Sequence, residues 1–136
     1  PASTAYLTEA IDQRKRKTAA HWFSRVSPLD HFSSKKGALC FRDLAVDYQL
    51  ASSENRVFHA SSFDYEGRPL DWKWQAQSTG GGECTTPLPY SASTSGYTVV
   101  KLWLSTKSDT RPAVLVHLAR NKEGTVRPIG IWRELP

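Results

Sequence analysis

Methionine is absent from this chain of 136 residues, and cysteine occurs only twice. The missing Met, with Pro1 in first place, predicts a processed chain or a domain cut from a longer protein. Two cysteines, Cys40 and Cys84, with no CxxC pair, fall short of the three or four ligands that a structural zinc site needs, and His21, His31, His59 and His117 are too scattered to complete one. No metal and no cofactor is expected. The two thiols allow one bridge, closing a loop of roughly 45 residues and contributing about 3–4 kcal/mol on the chain-entropy model. Two buried free thiols are the alternative. The bridge would imply an exported or periplasmic protein, and its absence a cytoplasmic one.

Long apolar runs are also missing. No stretch reaches the roughly 18 apolar residues of a membrane helix, and no charged segment followed by an apolar one opens the chain. A soluble domain without membrane insertion is expected. Catalytic signatures are equally scarce, with no GxSxG elbow and no HExxH. The glycines Gly80, Gly81 and Gly82 are followed by Glu83 and Cys84, which is the wrong charge for a phosphate-cradling loop and lacks its GK[ST]. The chain is therefore not assigned to an enzyme class, and the reading leans to a non-catalytic role.

What is present is enough for a core. Hydrophobic residues make up 39% and aromatics 11%, against 23% charged, which excludes a disordered chain. The length suits a single domain spanning residues 1–136.

The net charge of +5 is unevenly spread. Residues 1–36 hold seven Lys and Arg against three Asp and Glu, whereas residues 37–136 hold eleven against ten. The first segment predicts a helix over residues 4–26, with Ser3 or Thr4 as N-cap, Glu9 and Asp12 toward the start and the run from Arg14 to Lys17 toward the end. Leu7, Ile11, Thr18, Trp22 and Val26, widened by Ala10, Ala19 and Phe23, form an apolar stripe that should pack on something. Successive helical residues diverge by about 100°, so the consecutive cations cannot all face one polyanion. A solvated helix face is the reading taken. Polyanion contact through Arg14, Arg16, Lys17, Arg25, Lys35 and Lys36 is the alternative, and nucleic acid is the less favoured partner.

Ser27 and Pro28 stop this helix and predict a short second one over 28–34, with Pro28 at its first position. Beyond Gly37 the period becomes two, and an antiparallel sheet is expected over 38–133. Its first strand is "ALCFRDLAVDYQL", with Leu44, Val46 and Tyr48 on one face. Two hairpins follow, 56–65 with 69–77 around "DYEGRP" and 112–120 with 126–133 around "NKEG", with a strand at 97–105 between them. Residues 78–96, rich in Gly, Ser, Thr and Pro, read as a long surface loop that Cys84 could anchor to Cys40.

These elements predict an α+β fold, with the amino-terminal amphipathic helix packed on a twisted antiparallel sheet of five or six strands. Leu7, Ile11, Trp22 and Phe23 would then meet Val100, Leu102 and Leu104. The arrangement is similar in outline to cystatin-like and NTF2-like folds, a likeness of architecture alone. A β-sandwich or barrel with an amino-terminal helix is the alternative.

Alternation along "YTVVKLWLS" sends Val100, Leu102 and Leu104 to the core and Tyr97, Lys101 and Trp103 to the other face. Aromatics beside a cation make a surface suited to ligand binding. His117 lies on a strand with two apolar faces and reads as a core histidine, or as the polar group of a cavity. As a general base it would need an orienting partner, for which Asp43, Asp47 and Asp64 are candidates. In "LDWKWQAQ", Trp72 and Trp74 share the apolar face and read as core. The expected function is a binding or accessory domain that contacts a protein, a neighbouring domain or a small ligand through Tyr97, Lys101, Trp103 and the 78–96 loop. A small pocket enzyme or ligand carrier with His117 in the cavity is the second reading.

Overall fold

The structure is a computed structural model that describes residues 2–23, 25–89, 96–123 and 125–135, with side chains from residue 9 onward. Helix α1 (Ala2–Phe23) is followed by β1 (Leu29–Lys35), β2 (Ala38–Asp43), the single-turn helix α2 (Leu44–Asp47), β3 (Val57–Asp64) and β4 (Pro69–Gln77). The chain continues through β5 (Gly82–Cys84), β6 (Tyr97–Ser105), β7 (Val114–Arg120) and β8 (Val126–Arg133). All strand pairs are antiparallel. They form a three-stranded sheet of order β1-β2-β5 and a five-stranded sheet of order β4-β3-β6-β7-β8. The fold is α+β, and most of it is strand.

The core forms between the two sheets. Leu29, Leu39 and Phe41 from β1 and β2 pack with Phe58, Val100, Leu102, Leu104, Val114, Val116 and Leu118 from the larger sheet. Phe41 presents an edge contact to Phe58 with centroids 5.1 Å apart, and another to Trp74 at 6.1 Å. Trp72 and Trp74 are half-buried against this cluster, on the apolar face that alternation assigned to them. A side chain such as Phe41, in contact with both sheets, stabilises the fold by about 1.5–3 kcal/mol through burial alone.

The expected packing of the helix on the sheet is corrected. Ile11 is 51% and Trp22 56% exposed, and Leu7 lies outside the described side chains. Val100, Leu102 and Leu104 are covered by the smaller sheet, which leaves no room for the helix that a cystatin-like or NTF2-like outline requires. Among the described side chains, the contacts of α1 with the body come from its carboxyl-terminal half. Phe23 stacks on Tyr48 at 6.3 Å, and Arg16 donates to the carbonyls of Tyr48 and Gln49 at 3.1 and 3.4 Å. Arg16 thus caps the carbonyl end of α2, where a cation is favoured. The helix runs from Ala2, not residue 4, so Ser3 and Thr4 are inside it; it ends at Phe23, where the amides of Arg25 and Val26 both bond the Trp22 carbonyl.

The short helix expected over 28–34 is a strand. Pro28 and Leu29 are buried, Pro28 O accepts from Leu44 N at 3.0 Å, and the side chains of β1 alternate. Pro at a first helical position and Pro leading into an edge strand look alike locally, and here the ladder to β2 decides. The turn from β1 to β2 places Lys36 and Gly37 at φ +52° and +82°, the pair of positive values that a tight hairpin of matching twist requires. The strand expected through Leu50 stops at Asp43, which caps α2 by accepting from Ala45 N.

The two hairpins and the 97–105 strand form as expected. Their turns share a hydrogen-bonding scheme. Asp64 Oδ1 accepts from the amides of Glu66 and Arg68, at 2.9 and 2.8 Å. Asn121 Oδ1 accepts from Glu123 and Thr125, at 3.0 and 2.9 Å. Gly67 adopts φ +82°, and Gly124 lies outside the described residues.

Candidate ligand-binding face

Alternation along each strand divides the five-stranded sheet into two faces. On β6 the buried residues are Val100, Leu102 and Leu104, so Tyr97, Val99, Lys101 and Trp103 face away from the core. The same rule turns His59, Ser61 and Phe63 of β3 outward, opposite buried Phe58, Ala60 and Ser62, and turns Leu115, His117 and Ala119 of β7 outward. Tyr97, Lys101, Trp103 and His117 therefore share this outer face.

Register arranges the face in rows. One row runs Lys73, Ser61, Lys101, Leu115 across β4, β3, β6 and β7. The next is Gln75, His59, Trp103. His59 and Trp103 stack with centroids 5.2 Å apart and planes 9° from parallel, and His59 Nε2 is 2.8 Å from Ser105 Oγ. Lys101 Nζ lies 6.0 Å from the centre of the Trp103 ring, where a cation meets the negative π-face. Tyr97 and His117 are joined by a hydrogen bond between the phenol oxygen and Nδ1.

A groove of about 570 Å³ opens beside the aromatic stack, lined by His59, Ser61, Phe63, Lys73, Gln75 and Trp103 among others. Its cause is an irregularity in pairing. Phe63 pairs with Pro69 and Ser61 with Lys73, so Ser62 alone stands opposite Leu70, Asp71 and Trp72. Extra residues on one strand bend it and re-aim its side chains. Ser62 Oγ and Trp72 Nε1, on either side of this bulge, are buried with no hydrogen-bond partner among the described residues.

The carboxylates considered for orienting His117 are engaged elsewhere. Asp43 is buried and held by Arg56. Asp47 receives two hydrogen bonds from Arg42, which keep its carboxyl below the usual range. Asp64 is lowered chiefly by the amide of Arg68, with further help from that residue's side chain. The partner of His117 on this face is a phenol.

Within the expected loop, Gly82–Cys84 form the edge strand β5 of the smaller sheet. Strand β5 pairs with β2, Leu88 enters the core, and Cys40 and Cys84 form a disulfide between directly opposed positions. Residues 90–95 lie outside the described chain. The glycines there have a packing role: a Cβ on Gly81 would fall 1.8 Å from Asp47 Oδ1, and one on Gly82 2.7 Å from Arg42 Nη1. They leave room for the Arg42–Asp47 ion pair.

The six cations of the polyanion alternative have separate surroundings. Arg14, Lys17 and Arg25 are exposed on or just after α1, Lys35 and Lys36 are exposed at the hairpin turn, and Arg16 is spent on backbone carbonyls. Among the described residues no group of three or more His, Cys, Asp and Glu is placed to hold a metal ion, and no helix is long and apolar enough to cross a membrane.

His59, Ser61 and Lys73 were missed by sequence reasoning. The alternation of "VFHASSFD" places His59 and Ser61 on one face, but only the pairing of β3 with β6 brings them beside Trp103 and Lys101. No family model, curated protein or solved structure matches this chain.

Proposed function

We propose that this chain is a non-catalytic binding domain whose ligand docks on the outer face of the five-stranded sheet. The observation that carries the reading is the His59–Trp103 stack, flanked by Lys101 and bordered by a groove. A stack of two rings fixed by a hydrogen bond to Ser105 offers a flat surface at little cost in side-chain entropy. The 78–96 loop has no support as part of this site, because none of its described residues lines the groove and Gly82–Cys84 pair with β2 of the other sheet.

The engagement of Asp43, Asp47 and Asp64 by arginines favours binding over general-base catalysis by His117. The disulfide favours export to an oxidising compartment such as the periplasm. The expected protein partner or neighbouring domain finds its best support in α1, with Ile11 and Trp22 exposed.

The test is a thermal-shift panel of glycans, small acids, acyl lipids and nucleic acids on the wild-type chain and on Trp103→Ala and Lys17→Ala. A ligand of this face raises the melting temperature of the wild type and of Lys17→Ala but not of Trp103→Ala. A shift that survives in Trp103→Ala and disappears in Lys17→Ala overturns the reading in favour of polyanion binding by α1.

A further inference from the structure

Resting on that reading, we infer that the ligand of the outer face is an acidic oligosaccharide, with a sugar ring against the His59–Trp103 stack and its carboxylate between Lys73 and Lys101. Both lysines pair in register with Ser61, from opposite sides. Their backbones are thus two strand spacings apart, roughly 10 Å, with the smallest side chain of the row between them. Two long cationic arms on either side of a serine can converge on one oxyanion, to which Ser61 Oγ can donate.

The charge of the face fits such a ligand. The outward positions of β3, β6 and β7 carry Lys101, His59 and His117 but no carboxylate. Asp71 shares the outer side of β4 with Lys73, yet no ion pair joins them, and neither Lys73 nor Lys101 has an ion-pair partner among the described residues. Cations left unpaired beside a groove attract an anion, whereas paired ones would already be neutralised.

The remainder of the groove matches a sugar better than a nucleotide. Gln75 and Ser61 each offer donors and acceptors, which suits hydroxyl groups, while the flat stack suits the C–H face of a pyranose. Phosphates are commonly cradled by free backbone amides at a helix N-terminus, and on the face of a sheet those amides are consumed by the ladder. The groove is open rather than enclosed, which admits a chain.

The experiment is calorimetric titration of the full chain with a galacturonate tetrasaccharide and a mannuronate tetrasaccharide, each beside its methyl ester, with AMP as the nucleotide control. At least one acid form is expected to bind, its ester at least tenfold more weakly. Lys73→Ala and Lys101→Ala should each weaken the acid at least tenfold while leaving the ester unchanged, and Trp103→Ala should abolish both. Equal binding of acid and ester overturns the acidic assignment but leaves the binding face standing. Binding of AMP alone, or of no tetrasaccharide, overturns the inference. Saccharide binding that Trp103→Ala does not alter overturns the binding face as well.

Discussion

The guanidinium of Arg56 donates from Nε and Nη2 to the two oxygens of Asp43, at 2.8 and 3.1 Å, and both side chains are buried. Asp43 Oδ1 also accepts from Ala45 N at 3.2 Å, so one carboxylate joins β3's approach, the end of β2 and the start of α2. Removing either partner strands a buried charge. Arg56→Ala is expected to destabilise by about 3–5 kcal/mol, read by urea unfolding, and Arg56→Lys to recover only part of this because an ammonium cannot reproduce the two-pronged geometry. A loss below about 1 kcal/mol would mean that the pair is effectively solvated.

Gly81 sets a second prediction. The Cβ of Gly81→Ala meets the Asp47 carboxylate, which Arg42 holds from two directions. Relief requires that this ion pair break or that the loop move away from Asp43 N, to which Gly81 O is bonded. Destabilisation of about 1–3 kcal/mol is expected, as for overpacking generally. Gly80→Ala, with open space at its Cβ, serves as the control and should be close to neutral.

Asp64 predicts a pH dependence. Its folded pKa is lowered, first by the Arg68 amide, so its contribution to stability is present above the unfolded value, about 3.9, and is lost as pH falls through the folded one. Asp64→Asn keeps an acceptor for the turn, as Asn121 does in the other hairpin, but has no charge. The wild type should melt higher than Asp64→Asn at pH 7, and the gap should close below about pH 4. A gap that stays constant down to pH 2 would assign the effect to turn geometry.

The disulfide gives the fourth. Among the described residues strand β5 pairs only with β2, so the Cys40–Cys84 bridge holds an edge of the smaller sheet. Replacing both cysteines with serine should cost about 2–4 kcal/mol. Hydrogen exchange should rise first at residues 82–84, with the amides of β3 and β6 still protected. Uniform loss of protection would show that the bridge supports the whole core.

The period-two strands from residue 57 onward were legible because alternation and turn chemistry act locally. "DYEGRP" and "NKEG" announce their turns through Asp64 and Asn121, whose side chains bond the backbone a few residues ahead. The role of Pro28 was not legible, because the same residue suits a helix start and an edge strand. Nor was the fate of the α1 stripe. A helix with Ile11 and Trp22 in phase reads as buried until a competing surface is found, and here β1 and β2 cover the sheet first.

For the candidate site, the sequence by itself determined which side chains of β6 leave the core together, since a strand has only two faces. It also limited the cysteines to one possible bridge. Only the tertiary structure decided that Trp103 meets His59, that Lys101 faces Lys73 across Ser61, and that His117 finds a phenol instead of a carboxylate. The pairing of β3 with β6 joins strands distant along the chain, and the registers depend on how two sheets close over a shared core, which no local periodicity encodes.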